Sequence, residues 1–153
     1  MLNYEIRAGR PEDVDAMYGL ICELAAFERA LPEVINSSEQ LLADGFGENP
    51  LYGVFVAEAA GKVVGMALYY YRYSTWKGKV LYLEDLYIQP EYRHYRIGQA
   101  LLARLKEWAV EQHCQRISLQ VLDWNEPAIA FYQKSSMSFD PEWVNVYLEV
   151  KDF

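Results

Sequence analysis

Two carboxylates stand side by side, Glu84 and Asp85, in the run YLEDLYIQ, and shortly after them Arg93, His94 and Arg96 crowd the approach to the amphipathic stretch RIGQALLARLKEWA. The carboxylates can take a proton from an ammonium group or hold its charge. The basic cluster can hold an anion, because a helix N-terminus leaves backbone N–H groups unpaired and carries the positive end of the macrodipole. Carboxylates bracketed by Leu83, Leu86 and Ile88 are costly to bury alone, and an ammonium ion is a partner that offsets the cost. Strand alternation sends Glu84 and Asp85 to opposite faces, so only one of them faces a given cleft. The plain alternative is that both are solvent-facing edge charges and that the basic cluster is merely solvated.

The elements that must position these groups follow from hydrophobic spacing. Residues 3–9 read as a short strand. Residues 10–31 read as a helix opened by Pro11 and an acidic first turn, with Val14, Met17, Tyr18, Ile21, Leu24 and Ala25 at helical spacing. Residues 36–47 form a second, short helix that Ser37 or Ser38 caps and that Gly45 and Gly47 end. Residues 51–74 are a hairpin turning at Gly61, and 79–89 are a long strand. Residues 96–113 are a helix burying Ile97, Leu101, Leu105, Trp108 and Ala109. A strand over 116–122 comes next, then a helix over 125–135 with Asn125 as cap and Pro127 in its first turn. A closing strand over 142–150 puts Val144, Val146, Leu148 and Val150 on one face. This order, β-α-α-β-β-β-α-β-α-β, predicts an α/β fold, a mixed sheet with helices on both faces.

With 153 residues, no linker and no internal repeat, one domain over residues 1–153 is expected. About half the residues, 52%, are apolar, so the chain packs a core. A net charge of −8 argues against nucleic acid, which demands a basic face. It suits a small cationic substrate, whose local concentration a negative field raises, and it equally suits simple solubility. Cys22 and Cys114 lie far apart, with neither metal nor redox spacing, so no metal and no cysteine nucleophile are expected. No signal-like segment and no long apolar run appears, which predicts a soluble cytoplasmic protein away from membranes.

The segment YLEDLYIQPEYRHYRIGQALL resembles the acetyl-CoA-binding signature of the GCN5-related N-acetyltransferase (GNAT) superfamily, with Arg93 at its first position and Gly98 at its last. VLDWNEPAIAFYQK resembles that superfamily's second cofactor motif through Asn125, Ala128, Phe131 and Tyr132. ELAAFE, DGFGENP, YYYRYSTWKG, YLEDLY and LDWNEPAIAFY, in order along nearly the whole chain, are similar to the spermidine/spermine (diamine) acetyltransferase family, and most to its thialysine Nε-acetyltransferase branch. Two places depart from the pattern: His94 and Arg96 stand where glycine is common, and Ser135 and Ser136 stand where a glycine often ends the helix.

The resemblance implies the GNAT acyl-CoA N-acyltransferase fold, a central twisted mixed sheet flanked by helices. It implies direct acetyl transfer from acetyl-CoA to a primary amine of a small cationic substrate, either an amino acid like thialysine or lysine or a diamine or polyamine. It places coenzyme A against Leu86, Tyr87 and Ile88, against Arg93, His94, Tyr95, Arg96, Ile97 and Gly98, and against Asn125, Ala128, Phe131, Tyr132 and Lys134. A backbone N–H within 86–88 polarises the acetyl carbonyl, Tyr132 is the general acid toward the thiolate, and Glu84 is the base, through a water. Substrate recognition falls to Glu28, Ser74, Thr75, Trp76, Glu84, Asp85 and Asp123. Glu28 is otherwise a helix-end charge, and Trp76 otherwise a packing anchor. Ser74 stands where polyamine-preferring relatives carry an acid, which favours an amino-acid-like amine. A homodimer follows by the same analogy. The rival readings are a non-catalytic acyl-CoA-binding module and a peptide or protein amine acetyltransferase.

Overall fold

Five strands hydrogen-bond in the order β1-β2-β3-β4-β5 in the computed structural model, which describes all of residues 1–153. They are β1 (Tyr4–Ala8), β2 (Gly53–Ala59), β3 (Lys62–Ser74), β4 (Gly78–Ile88) and β5 (Arg116–Leu119). The first four run antiparallel to their neighbours, while β5 joins β4 in parallel, so the sheet is mixed. The helices are α1 (Val14–Phe27), α2 (Ser38–Phe46), α3 (Ile97–Glu111) and α4 (Glu126–Lys134). The chain divides into two compact units, Met1–Gln120 and Val121–Phe153. No helix is long and apolar enough to cross a membrane.

In the first unit, the period-2 alternation of the strands makes two cores. Phe55, Ala57, Leu81 and Leu83 pack with Ile97, Leu101, Leu105 and Ala109 of α3. On the other face, Val54, Val56, Met66 and Tyr87 pack with Met17 and Leu20 of α1. Trp108 lies at the border of the α3 core, half-buried, and donates its Nε1–H to the Tyr71 hydroxyl at 2.9 Å. The expected first helix begins later than its Pro11. Residues Pro11–Asp13 form a single 3-10 turn, and the Asp13 carboxylate accepts the Arg10 N–H and pairs with Arg7 at 2.8 Å.

Local punctuation matches the chemistry of each turn. Ala60 and Gly61 both have positive φ (50° and 73°), the left-handed pair that a two-residue hairpin between β2 and β3 needs. Ser37 caps α2 by accepting the Gln40 N–H, and Gly47 ends it. Gly45, expected to help end that helix, lies inside it, where the absence of a side chain admits the Tyr52 ring. The Tyr52 hydroxyl donates to the Leu41 carbonyl at 2.6 Å. Helices α1, α3 and α4 each close on a left-handed residue other than glycine, namely Arg29, His113 and Ser136 (φ 60°, 58° and 62°). In all three, the residue after it donates back across the last turn, as Met137 N–H does to Tyr132 O at 3.1 Å.

Two strand expectations fail. The strand expected over 116–122 stops at Leu119. The closing strand expected over 142–150 does not form: residues 142–149 carry no strand ladder, and Val144, Val146 and Leu148 are 83%, 91% and 69% exposed. Alternation of β-branched residues makes a segment able to be a strand, but a ladder requires a neighbour.

Candidate active site

The decisive irregularity is in β4. Leu68 of β3 pairs with Asp85 and the next residue, Tyr69, pairs with Leu83, so Glu84 is an extra residue, a β-bulge. One added residue reverses the alternation. Before it, Leu81 and Leu83 face the α3 core; after it, Leu86 and Ile88 face that core while Tyr87 faces α1. Glu84 and Asp85 therefore share the α1 face, and the expectation that alternation would separate them is wrong.

That shared face is acidic. The Asp85 carboxyl is pushed up to about 7, first by burial and then by the charges of Glu84 and Glu28. Glu28, the residue that closes α1, is also raised, by burial and by Glu84. Glu28, predicted to meet substrate, thus does stand with Glu84 and Asp85. Tyr70 and Tyr82, a cross-strand pair with ring centroids 5.2 Å apart, border the group, and both phenols are raised by burial and by Glu84. The sequence reading missed these two tyrosines, although Tyr82 lies two residues before Glu84 and so shares its face. The charge of Glu84 raises both Asp85 and Glu28, and such a group of carboxyls favours a cation among them.

The ladder between β4 and β5 ends at Leu83, where β5 itself ends. β5 pairs only with Val80–Leu83, so the edge of 84–88 that faces away from β3 meets no strand. Gln89 N–H donates to Val64 O on β3 at 2.9 Å. By alternation, Tyr87 also turns its backbone toward β3, while Leu86 and Ile88 turn theirs outward. Arg93 Nε donates to the outward Ile88 carbonyl at 2.9 Å, and its guanidinium lies 5.4 Å from the Tyr87 ring centre. Of the three amides considered as oxyanion donors, Leu86 and Ile88 thus line the unpaired edge and Tyr87 does not. Glu23 of α1, absent from the candidates, holds this end of β4 by accepting from Gln89 Nε2 at 3.0 Å and from the Tyr87 hydroxyl at 3.4 Å.

The loop to α3 keeps an unusual shape. His94 and Arg96 both sit in the left-handed region, at φ 72° and 62°. These are the two positions where glycine is common in the signature, and the backbone takes the glycine-like path despite their side chains. Tyr95 between them is half-exposed. The first helical bond of α3 runs from Ala100 N–H to Arg96 O at 3.0 Å, so the N–H groups of Ile97, Gly98 and Gln99 precede it and are the donors an anion meets there.

In the second unit, Asp123 lies in the turn before α4, and the buried Asn125 caps that helix by accepting the Ala128 N–H at 3.3 Å, with Pro127 in the first turn as expected. Tyr132 is buried and meets the Phe131 ring edge-on at 5.2 Å, and Lys134 is exposed in the last turn. Ser135 turns its hydroxyl back to the Phe131 carbonyl at 2.9 Å, and Ser136 takes the left-handed closing position. Ser74, Thr75 and Trp76 are not brought to the acidic face. They form the tip of the β3–β4 hairpin, where the Ser74 hydroxyl accepts the N–H groups of Trp76 and Lys77, and Trp76 is 83% exposed. From Gly78 at that tip to Glu84 is roughly 20 Å at the rise of a strand.

A mixed sheet whose β4 runs on past its ladder with β5 toward a helix start suited to an anion, with carboxyls gathered on one face, defines an α/β protein suited to bring an anionic donor to a cationic acceptor. Residues 20–137 match the Acetyltransferase (GNAT) family, and the chain belongs to it. It is 44% identical to a thialysine N-epsilon-acetyltransferase of Bos taurus over 84% of this chain and 80% of that one, and 43% identical to that of Mus musculus over 87% and 83%. It is 39% identical to a human spermidine/spermine N(1)-acetyltransferase-like protein 1 over 84% of this chain and 20% of the larger protein. Its fold matches an aminoglycoside N-acetyltransferase solved in complex with CoA, at TM-score 0.77 and 19% identity over 98% of this chain and 97% of that one. The protein is thus an N-acetyltransferase that uses acetyl-CoA.

Proposed function

We propose that this enzyme acetylates a primary amine of a small cationic substrate, an amino acid of the lysine or thialysine kind ahead of a long polyamine. The observation that carries the reading is the bulge at Glu84, which gathers Glu84 and Asp85 on one face with Glu28. Acetyl-CoA supplies an activated acyl group with a thiolate leaving group. The N–H groups of Ile97 and Gly98, with Arg93, His94, Tyr95 and Arg96 around them, would hold its phosphates. In the second motif Asn125, Ala128, Phe131 and Lys134 serve the same coenzyme, Asn125 by fixing the start of α4.

The incoming amine has a pKa near 10 and arrives charged, so it must lose a proton before it can attack. Glu28 and the Glu84–Asp85 pair hold its charge, and the pair takes the proton through a water, a task for which a carboxyl near 7 is well matched. Leu86 or Ile88 N–H stabilises the carbonyl oxygen as it gains charge. Tyr132 gives its proton to the departing thiolate. Asp123 adds a further acidic group for recognition, while Ser74, Thr75 and Trp76, at the hairpin tip, lie too far from the carboxyls to touch the same small amine. The reading takes residues 1–153 as one acetyltransferase domain working as a homodimer in the cytoplasm, a setting that suits two free cysteines.

The test is a screen of thialysine, lysine, putrescine and spermidine with release of free thiol as readout. Thialysine or lysine should give the highest kcat/KM. Tyr132→Phe should lower kcat on the order of 100-fold while leaving acetyl-CoA affinity nearly unchanged. Tight acetyl-CoA binding with no turnover on any amine would instead favour a binding module.

A further inference from the structure

We infer that Arg72 forms a second subsite beside the carboxyls, one that takes the carboxylate of an amino-acid substrate and so selects it over a diamine. The inference rests on the reading of Glu28, Glu84 and Asp85 as the site of the amine, and it names the partner of the substrate's other end. Register puts Arg72 there. Tyr70 pairs with Tyr82 and Arg72 with Val80, so Arg72, two residues beyond Tyr70, shares the face of Tyr70, Tyr82 and Glu84. Its guanidinium leans toward the acids, 5.4 Å from the ring centre of Tyr82. The two phenols stand between opposite charges: burial raises both, Glu84 raises both further, and Arg72 lowers both.

This cation is exposed and open to a ligand. No carboxylate of the chain pairs with it, whereas Arg7 is held by Asp13 and Glu58 and Arg104 by Glu107 and Glu111. One face thus carries a positive end at Arg72, an aromatic pair in the middle, and a negative end at Glu84, Asp85 and Glu28. Tyr82 and Glu84 lie two residues apart, about 7 Å along a strand, a span that the stem of lysine or of its thioether analogue covers. An amino acid with its side-chain amine at the carboxyls can therefore lay its carboxylate against the guanidinium, whose planar fork matches that group. A diamine has no anion to place there, and a polyamine sets a further ammonium against a cation, which repels it.

The experiment compares kcat/KM for thialysine and for bis(2-aminoethyl) sulfide, the same molecule without its carboxylate. It uses the unmodified chain, Arg72→Gln and Arg72→Lys, with calorimetric titration of both amines alongside. In Arg72→Gln the ratio of thialysine to diamine should fall about 10-fold, with the loss for thialysine in KM rather than kcat and the value for the diamine raised. Arg72→Lys should recover part of the ratio. An unchanged ratio in Arg72→Gln, or equal losses on both amines, overturns the inference and leaves the proposed reaction standing. An unmodified enzyme that prefers the diamine overturns both. If neither amine turns over, the reaction reading falls and calorimetry decides this one. Thialysine bound about 10-fold more tightly than the diamine by the unmodified chain, but not by Arg72→Gln, supports it; equal binding or none overturns it. Should Arg72→Gln fail to fold, equal kcat/KM for the two amines in the unmodified chain overturns the inference, and a preference for thialysine that Arg72→Lys reduces supports it.

Discussion

β4 and the segment 142–149 are written in nearly the same alphabet, alternating β-branched, leucine and tyrosine residues with a few acids. In β4, with β3 along its length and β5 beside Val80–Leu83, the apolar residues Leu81 and Leu83 are 0% and 2% exposed. In 142–149, which forms no strand, Val144, Val146 and Leu148 are 83%, 91% and 69% exposed. The difference teaches that strand propensity is a capacity and a paired neighbour is its realisation. It also shows what a neighbour makes possible, for a register fixed on both sides of Glu84 turns one extra residue into a device that gathers two carboxylates on one face.

The comparison can be broken most sharply at Asp85. Its carboxyl is held at about 7 in the folded chain against about 4 in the unfolded one, so between those values the folded state keeps a proton that the unfolded state has lost. The contribution of Asp85 to stability should therefore fall as pH rises from about 4 to about 7, by a few kcal/mol and at most about 4, and stay low above that. Asp85→Asn should flatten this slope in urea titrations run at several pH values. An unchanged slope would mean that the acidic face is solvated like an ordinary surface.

Leu81→Ala, in the middle of β4, should cost about 3 kcal/mol, since it opens a cavity against α3. Arg96→Gly, in the loop that β4 leads into, should raise stability by about 0.5–1 kcal/mol by relieving a left-handed residue that has a side chain. A loss of stability would show that the guanidinium is held by contacts worth more than the strain. The smallest effect belongs to the bare segment: Leu148→Ala, measured at a concentration where the chain is monomeric, should change stability by less than about 0.5 kcal/mol.

What the sequence determined by itself was whatever depends on neighbours along the chain. Ser37 and Asn125 were legible as caps because capping is decided within three residues, and α1 and α3 were legible because apolar spacing fixes which face is buried. The basic loop, the two acids of β4 and the family were likewise readable from residues in order. Tertiary structure alone decided the rest. A bulge is set by the register between β3 and β4, so no reading of β4 by itself could put Glu84 and Asp85 on one face or bring Glu28 and the Tyr70–Tyr82 pair to them. Ser74, Thr75 and Trp76 ended a hairpin's length from that face for the same reason, and the bareness of 142–149 became visible only when every strand of the sheet had found its partners. Local chemistry acts over a few residues, whereas pairing acts between segments far apart in the chain, and here it is pairing that places the carboxyls.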